Sequence, residues 1–267
     1  MNKKSFCIAV DCEGPACVVG TPGIGLRESP NYPFAAKQAM REANAAARAL
    51  FDAGAEKVLI WDNHSSGVNL DYDQIDPRCD IALGTNLPVR FPGVDQSFGG
   101  VLFIGYHARE GTLNAVIAHT FNSAMYQHQK VNGREVGELE IDAAFAGIHG
   151  VPVLFAASDR ACVLQAKESF PWIETVETKV GLGWNAAVSL HPKAACEAIY
   201  NGVMRAAERL DEMKPFTFTL PLEYEIRYKR IDSAGEARLY DRERRPFRFA
   251  DAFTRVGVLD RVEDLMN

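Results

Sequence analysis

Short apolar runs closed by polar or charged residues recur along the first two thirds of this chain, and they set the reading of its fold. Residues 5–11, Ser-Phe-Cys-Ile-Ala-Val-Asp, are apolar and end in an acid, the pattern of a buried strand. Lys57 to Asp62 predicts a second strand, Asp80 to Gly84 a short third, and Gly99 to Gly105 a fourth centred on Val101, Leu102, Phe103 and Ile104. Ala115 to Ala118, Pro152 to Ala157 and Ile173 to Val180 are further strand candidates. After Pro30 and Asn31, an Ala-rich stretch with Phe34, Gln38, Arg41 and Ala45 to Leu50 predicts a long helix ending at Gly54. Glu135 to His149 is also helical in period, with Val136, Leu139, Ala143 and Ala146 along one side.

Strands alternating with helices imply an α/β fold with a mostly parallel sheet covered by helices. The pattern then changes. Pro192 to Met213 reads as a long boundary helix, and Phe216 to Arg230 alternates and is rich in Phe, Thr, Tyr and Ile, which predicts antiparallel strands. A last helix is expected from about Asp251 to Met266. The expected organisation is an α/β metal-binding catalytic domain over residues 1–192 and a smaller C-terminal α+β subdomain over residues 193–267.

Composition narrows the function classes. A chain of 267 residues with 47% hydrophobic and 24% charged residues is globular in character and long enough to bury a core without staples. A net charge of -6 opposes nucleic acid as a partner. Arg242, Arg244, Arg245 and Arg248 cluster, but Asp241, Glu243 and Asp251 dilute them into a solvated turn. No run approaches the ~18 apolar residues of a membrane helix. The apolar stretch Phe6 to Val10 is too short for a secretory segment, so a cytoplasmic protein is expected. Six cysteines, with Cys7, Cys12 and Cys17 at intervals of five, match no common metal-cluster spacing and read as reduced structural thiols.

Three polar clusters share one structural address. Asp11-Cys12-Glu13-Gly14, Asp62-Asn63-His64-Ser65 and Gly105-Tyr106-His107-Ala108 each follow a predicted strand. Ligands of open parallel sheets bind beyond the carboxyl ends of the strands. In extended chain, residues two apart face the same side, so Asp11 and Glu13 can share a pocket. Two close carboxylates repel unless a cation lies between them. Adding His64 and His107 makes a mixed N/O donor set suited to zinc, manganese or iron. Taken singly, such residues are more ordinary: a strand-end acid is usually a cap, and Asp62 can cap the loop carrying His64 or support it from behind. Glu138, in the first turns of a helix after Asn132-Gly133, reads alone as a helix-start acid. Glu140 and Asp142 are expected to face solvent. His119 follows another apolar run and can be a ligand, base or nucleophile; His128, His149 and His191 are read as structural or exposed.

Together the ordered motifs Val-Asp-Cys-Glu-Gly, Asp-Asn-His-Ser, Gly-Tyr-His-Ala, Ala-His-Thr-Phe and Val-Gly-Glu-Leu resemble the D-aminopeptidase family of metallopeptidases, also called the M55 or DppA family. The likeness covers residues 5–165 and is weaker beyond. It implies two zinc ions per subunit, with Asp11 bridging, Glu13 and His64 completing one site, and His107 and Glu138 the other. It implies His119 as the catalytic histidine, short peptides or amides with an N-terminal D-residue as substrates, and a homo-oligomer, a decamer of two pentameric rings. Gly181-Leu182-Gly183-Trp184-Asn185 departs from the family pattern and bears on substrate choice. Two other readings use the same donors: a dimetal phosphoesterase, for which Gly20 to Gly25 is too irregular a phosphate loop, and a non-catalytic peptide-binding protein linked to uptake.

Overall fold

Phe6, Ile8 and Val10 point to one side of the first strand and Cys7 and Ala9 to the other, and both sets are buried. Burial on both faces is what a central parallel strand requires. The computed structural model, which describes residues 3–87 and 89–266, sets this strand, β1 (Ser5–Val10), in the middle of a seven-stranded sheet. From edge to edge the sheet runs β3 (Asp80–Ala82), β2 (Lys57–Asp62), β1, β4 (Phe98–Ile104), β7 (Val153–Asp159), β8 (Glu174–Gly183) and β9 (Ala186–Ser189). All neighbours are parallel except β8 and β9. The chain leaves β1 towards β2 and β3 on one side, then crosses to β4 and continues outward on the other. Strand order thus reverses between β1 and β4, and a crevice opens at their carboxyl ends.

Helices α1 (Tyr32–Asp52) and α4 (Pro192–Glu208) pack together over the face carrying Phe6, Ile8 and Val10. Pro33 suits the first turn of α1, and small alanines at 35, 39, 43 and 46 let the helix lie close to the sheet. The opposite face is covered by α2 (Glu138–Gly147), α3 (Arg160–Ser169) and a second, antiparallel sheet. That sheet runs β11 (Arg248–Asp251), β12 (Thr254–Leu259), β10 (Leu222–Tyr228), β5 (Tyr126–Val131) and β6 (Arg134–Val136).

The α/β class with a mostly parallel sheet is as expected, while several elements differ. Residues 115–118 are irregular, with a bend at 116–117, and not a strand; Ile117 takes a left-handed φ of 52°. The final helix does not form. Thr-Arg-Val-Gly-Val-Leu alternates and carries β-branched residues, so it pairs as β12, and only the short 3-10 turn Val262–Met266 follows. Phe216 to Arg230 supplies one strand rather than several. The boundary helix ends at Glu208, before the 3-10 turn Leu210–Glu212. The start of the Glu135 to His149 stretch belongs to β6, because Asn132 and Gly133, both left-handed, turn β5 back on itself.

Candidate metal centre

Asp11 and Glu13 follow β1, His64 follows β2 and His107 follows β4, so three neighbouring strands deliver four side chains to one crevice. Glu138 opens α2, and His119 lies in the loop before β5. Close backbone approach makes this convergence possible. Gly105 has φ 75°, and a Cβ there would stand 2.2 Å from the Asp11 carbonyl oxygen. A Cβ on Gly14 would stand 2.1 Å from the Tyr106 carbonyl oxygen. Glycine at both positions lets the two loops meet.

Asp11 is the centre of the cluster. Its Oδ1 lies 2.8 Å from His64 Nδ1 and its Oδ2 3.4 Å from His107 Nε2. Glu13 Oε2 is 3.2 Å from His64 Nδ1, and Glu138 Oε1 is 3.1 Å from His107 Nε2. Ions bound tetrahedrally at ordinary zinc distances hold their ligands about 3.3 Å apart. The donor atoms of Asp11, Glu13 and His107 lie within 4.8 Å of one another, as do those of His107, His119 and Glu138. His64 joins through its short approaches to Asp11 and Glu13. Glu13 Oε2 and His107 Nε2, both facing the cluster, are buried without a hydrogen-bond partner. Each such orphan costs about 1–3 kcal/mol, which a cation coordinated by them removes. The residues therefore fit divalent metal.

The electrostatics agree. Burial pulls the Asp11 carboxyl up, but the His64 hydrogen bond and the charges of His64 and His107 reverse this and hold it far below the carboxylate range. Burial likewise opposes ionisation of Glu138, and His107 overcomes it. Burial lowers the His107 imidazole, yet the charge and hydrogen bond of Glu138, aided by Asp11, lift it to about 10. His64 is raised by Glu13 and Asp11 against its own burial. The crevice thus demands positive charge, as protons or as metal ions.

His119 stacks on His107 with ring centroids 3.9 Å apart and planes at 12°. Its Nδ1 is 2.8 Å from the Ile117 carbonyl oxygen. Donation there leaves Nε2, 3.8 Å from Glu138 Oε1, with a free lone pair. The accepting carbonyl belongs to the left-handed Ile117, a costly conformation for a β-branched residue, so the loop is strained where it presents His119.

An outer layer fixes these groups. Tyr106 donates its hydroxyl to Asp142 Oδ2 at 2.6 Å, and Asn63 Nδ2 reaches the Tyr106 hydroxyl at 2.8 Å. Arg90 pairs with Asp142 and donates to Asn63 Oδ1 at 2.8 Å. Asn63 precedes His64, Tyr106 precedes His107, and Asp142 lies one turn beyond Glu138. The expectation that Glu140 and Asp142 face solvent is wrong: they are 1% and 0% exposed. Four residues return a helix to the same face, which places Asp142 beneath Glu138. Every residue of α2 is buried, so no solvent face exists. Glu140 instead accepts from the Gly137 N–H and the Ser169 hydroxyl, both at 2.9 Å. Asp62 does cap the His64 loop, accepting from the backbone N–H groups of Asn69 and Leu70 and from the Tyr72 hydroxyl.

Sequence reasoning passed over Lys179. Its buried ammonium donates to the carbonyls of Glu13, Pro15 and Val18 at 2.5, 2.9 and 2.7 Å, clamping the loop that carries Glu13. Burial pushes its pKa down to about 8. Its strand, Glu-Thr-Val-Glu-Thr-Lys-Val, mixes charged and apolar residues and gave no sign that this lysine is buried. Arg90 left none either. Of the other histidines, His128 pairs with Glu225 at 2.9 Å, His191 caps α4, and His149 is exposed.

Comparison with known proteins fits this geometry. The family model described as D-aminopeptidase, peptidase M55, matches residues 5–249.

This chain belongs to the D-aminopeptidase family.

A curated D-aminopeptidase of Bacillus subtilis (strain 168) is 32% identical over 213 residues, 79% of this chain and 76% of that protein. A solved structure described as the Zn-dependent D-aminopeptidase DppA from Bacillus subtilis, a self-compartmentalizing protease, superposes with a TM-score of 0.90 at 27% identity. It covers 98% of this chain and 94% of its own. As a D-aminopeptidase family member with this donor set, the chain is a metallo-aminopeptidase. No described helix is long and apolar enough to cross a membrane.

Proposed function

We propose that the protein is a dinuclear zinc aminopeptidase that removes N-terminal D-residues from short peptides or amides. One observation carries the reading: the two oxygens of Asp11 face different histidines, His64 and His107, each with its own second carboxylate, Glu13 and Glu138. That spacing supports a reading in which Asp11 would be shared by two three-residue sites. The related Bacillus subtilis structure is described as Zn-dependent, which supports zinc as the metal.

Zinc at these positions would supply Lewis acidity towards the scissile carbonyl and acidify water at neutral pH. The chain's own groups do the rest. Asp11, Glu13 and Glu138, buried together with His64 and His107, would hold the metal pair in the crevice. His119, held in one tautomer by the Ile117 carbonyl, offers Nε2 to accept, carry or deliver a proton, or to attack directly. The outer layer of Asn63, Tyr106, Asp142 and Arg90 keeps the histidines and α2 in register as charge moves.

We further infer a homo-oligomer, a decamer of two pentameric rings, acting in the cytoplasm. The description of the structural relative as self-compartmentalizing supports assembly. The six unpaired cysteines suit a reducing compartment.

Metal analysis combined with matched D- and L-aminoacyl amides tests the central reading. Two zinc ions per chain, hydrolysis confined largely to the D-series, and loss of activity on chelation with recovery on zinc addition are expected. Full activity after complete metal removal, or equal turnover of the L-series, would overturn it.

A further inference from the structure

The loop that carries His119 runs from the end of β4 to the start of β5 without a helix or strand of its own. Three non-glycine residues in it, Asn114, Ile117 and Phe121, hold left-handed φ values of 55°, 52° and 57°. Such backbone persists only where its surroundings fix it. Here neighbouring elements do so with hydrogen bonds. Asp159 Oδ2 accepts from the Val116 N–H at 2.7 Å, and the Ala108 carbonyl accepts from the His119 N–H at 3.2 Å. The two bonds on either side of the Ile117 carbonyl come from one residue, Trp184. Its own carbonyl accepts from the Ile117 N–H at 2.9 Å, and its indole Nε1 donates to the Ala118 carbonyl at 3.1 Å.

Trp184 and Asn185 are the two turn residues between β8 and β9, where Gly183 pairs with Ala186. Turns of this length favour glycine, asparagine and aspartate, and an indole adds nothing to their geometry. Trp184 is also 36% exposed, so core packing alone does not account for it. Its two bonds to the His119 loop do. The rest of the hairpin tip reaches the same region. At Gly181 a Cβ would stand 2.2 Å from the Asn114 carbonyl oxygen, so the end of β8 lies directly against the loop. Asn185 Nδ2 donates to the Val19 carbonyl at 2.9 Å and ties the tip to the segment after Glu13.

We infer that Trp184 is a positioning residue for His119, acting through the Ile117 peptide. The Ile117 N–H and the Ala118 carbonyl flank the peptide whose oxygen lies 2.8 Å from His119 Nδ1. With both flanks held, that peptide keeps its orientation, its oxygen stays on Nδ1, and the ring proton stays there with it. Nε2 is thereby kept as the lone-pair side, towards Glu138. Without the indole bond the Ala118 carbonyl is released, the peptide relaxes from its left-handed conformation, and Nδ1 loses its acceptor. The inference rests on His119 being the proton-handling group proposed above, and deepens that reading.

Two variants test it. Trp184→Phe keeps a ring and the backbone carbonyl and removes the indole N–H. Trp172→Phe removes a bond of the same kind, from Trp172 Nε1 to the Val153 carbonyl at 3.1 Å, at the opposite end of the parallel sheet. On the zinc-loaded protein with a D-aminoacyl amide, Trp184→Phe is expected to lower kcat about three- to tenfold, the worth of one neutral hydrogen bond. KM and zinc content stay as in the parent, and Trp172→Phe leaves kcat at the parent level. Solid-state 15N NMR of histidine-labelled protein, with His119→Ala to assign the signal, reads the tautomer directly. His119 should carry its proton on Nδ1 in the parent and in Trp172→Phe, and be a mixture of tautomers in Trp184→Phe. Undiminished kcat in Trp184→Phe, equal losses in the two variants, or an Nδ1–H tautomer retained in Trp184→Phe overturns the inference. A tautomer that depends on Trp184 in a parent without turnover upholds it and sinks the peptidase reading; turnover in a parent whose tautomer ignores Trp184 does the reverse.

Discussion

A half-buried imidazole beside a candidate metal centre either ligates or moves protons, and His119 sits where both roles are geometrically open. It is grouped with His107 and Glu138 as a donor, yet its Nε2 stands 3.8 Å from Glu138, farther than His107 does at 3.1 Å. Stacking on His107 and the bond to Ile117 hold the ring in place without a metal bond. His119→Ala should therefore lower kcat by about 10²–10⁴ and leave the metal content of the purified protein unchanged. Loss of one zinc in parallel with activity would assign His119 to ligation instead. Ala-His-Thr-Phe marked the residue as a candidate ligand, base or nucleophile, and only the family resemblance set it apart from the ligands, because one rotamer and one strained turn decide between those roles.

At the scale of elements, the site depends on β1 and β4 lying close enough for Asp11 and His107 to face each other. Gly105 guards that spacing. Alanine there must take φ 75° and place its Cβ 2.2 Å from the Asp11 carbonyl oxygen. At Gly133, φ is 77° but nothing lies within 4 Å. Gly133→Ala should cost about 1–2 kcal/mol, the conformational cost alone. Gly105→Ala should cost about 2–5 kcal/mol and weaken zinc binding as Asp11 is pushed aside. Urea unfolding with zinc titration checks both, and equal costs would mean that the close approach does not matter. What the sequence disclosed follows the same division. Strands buried on both faces announce themselves as apolar runs, and their polar exits placed Asp11, Glu13, His64 and His107 together. The second sheet is half-exposed and partly polar. Its strand β5, Tyr-Gln-His-Gln-Lys-Val, lacks an apolar signal, and β12 resembles a helix start until its partners are known. Glu140 and Asp142 were misplaced because α2 has no wet side, a fact set by the sheet that covers it rather than by its own residues.

Across the whole molecule, one buried acid links the two halves of the helical layer to the loop that holds Glu13. Glu42 of α1 accepts from the Ala16 N–H and from Gln38, whose amide also reaches the Pro192 carbonyl at the start of α4. Burial raises its pKa to about 7, despite the hydrogen bonds from Gln38 and Ala16 and the charge of Lys179. The folded protein therefore keeps this proton at a pH where the unfolded chain, with an ordinary value of 4.5, has released it. Its contribution to stability is fully present below pH 4.5, declines as pH rises towards 7, and is lost above. The change is at most about 3 kcal/mol. Glu42→Gln supplies the same carbonyl acceptor without a charge, and Lys179 keeps its three backbone partners. The variant should match the parent near pH 5 and exceed it by about 1–3 kcal/mol at pH 8. Denaturant unfolding of the zinc-loaded protein at the two pH values decides the matter. A parallel pH dependence in parent and variant would show that Glu42 ionises as freely in the fold as out of it, and that the α1 to α4 junction tolerates a buried charge.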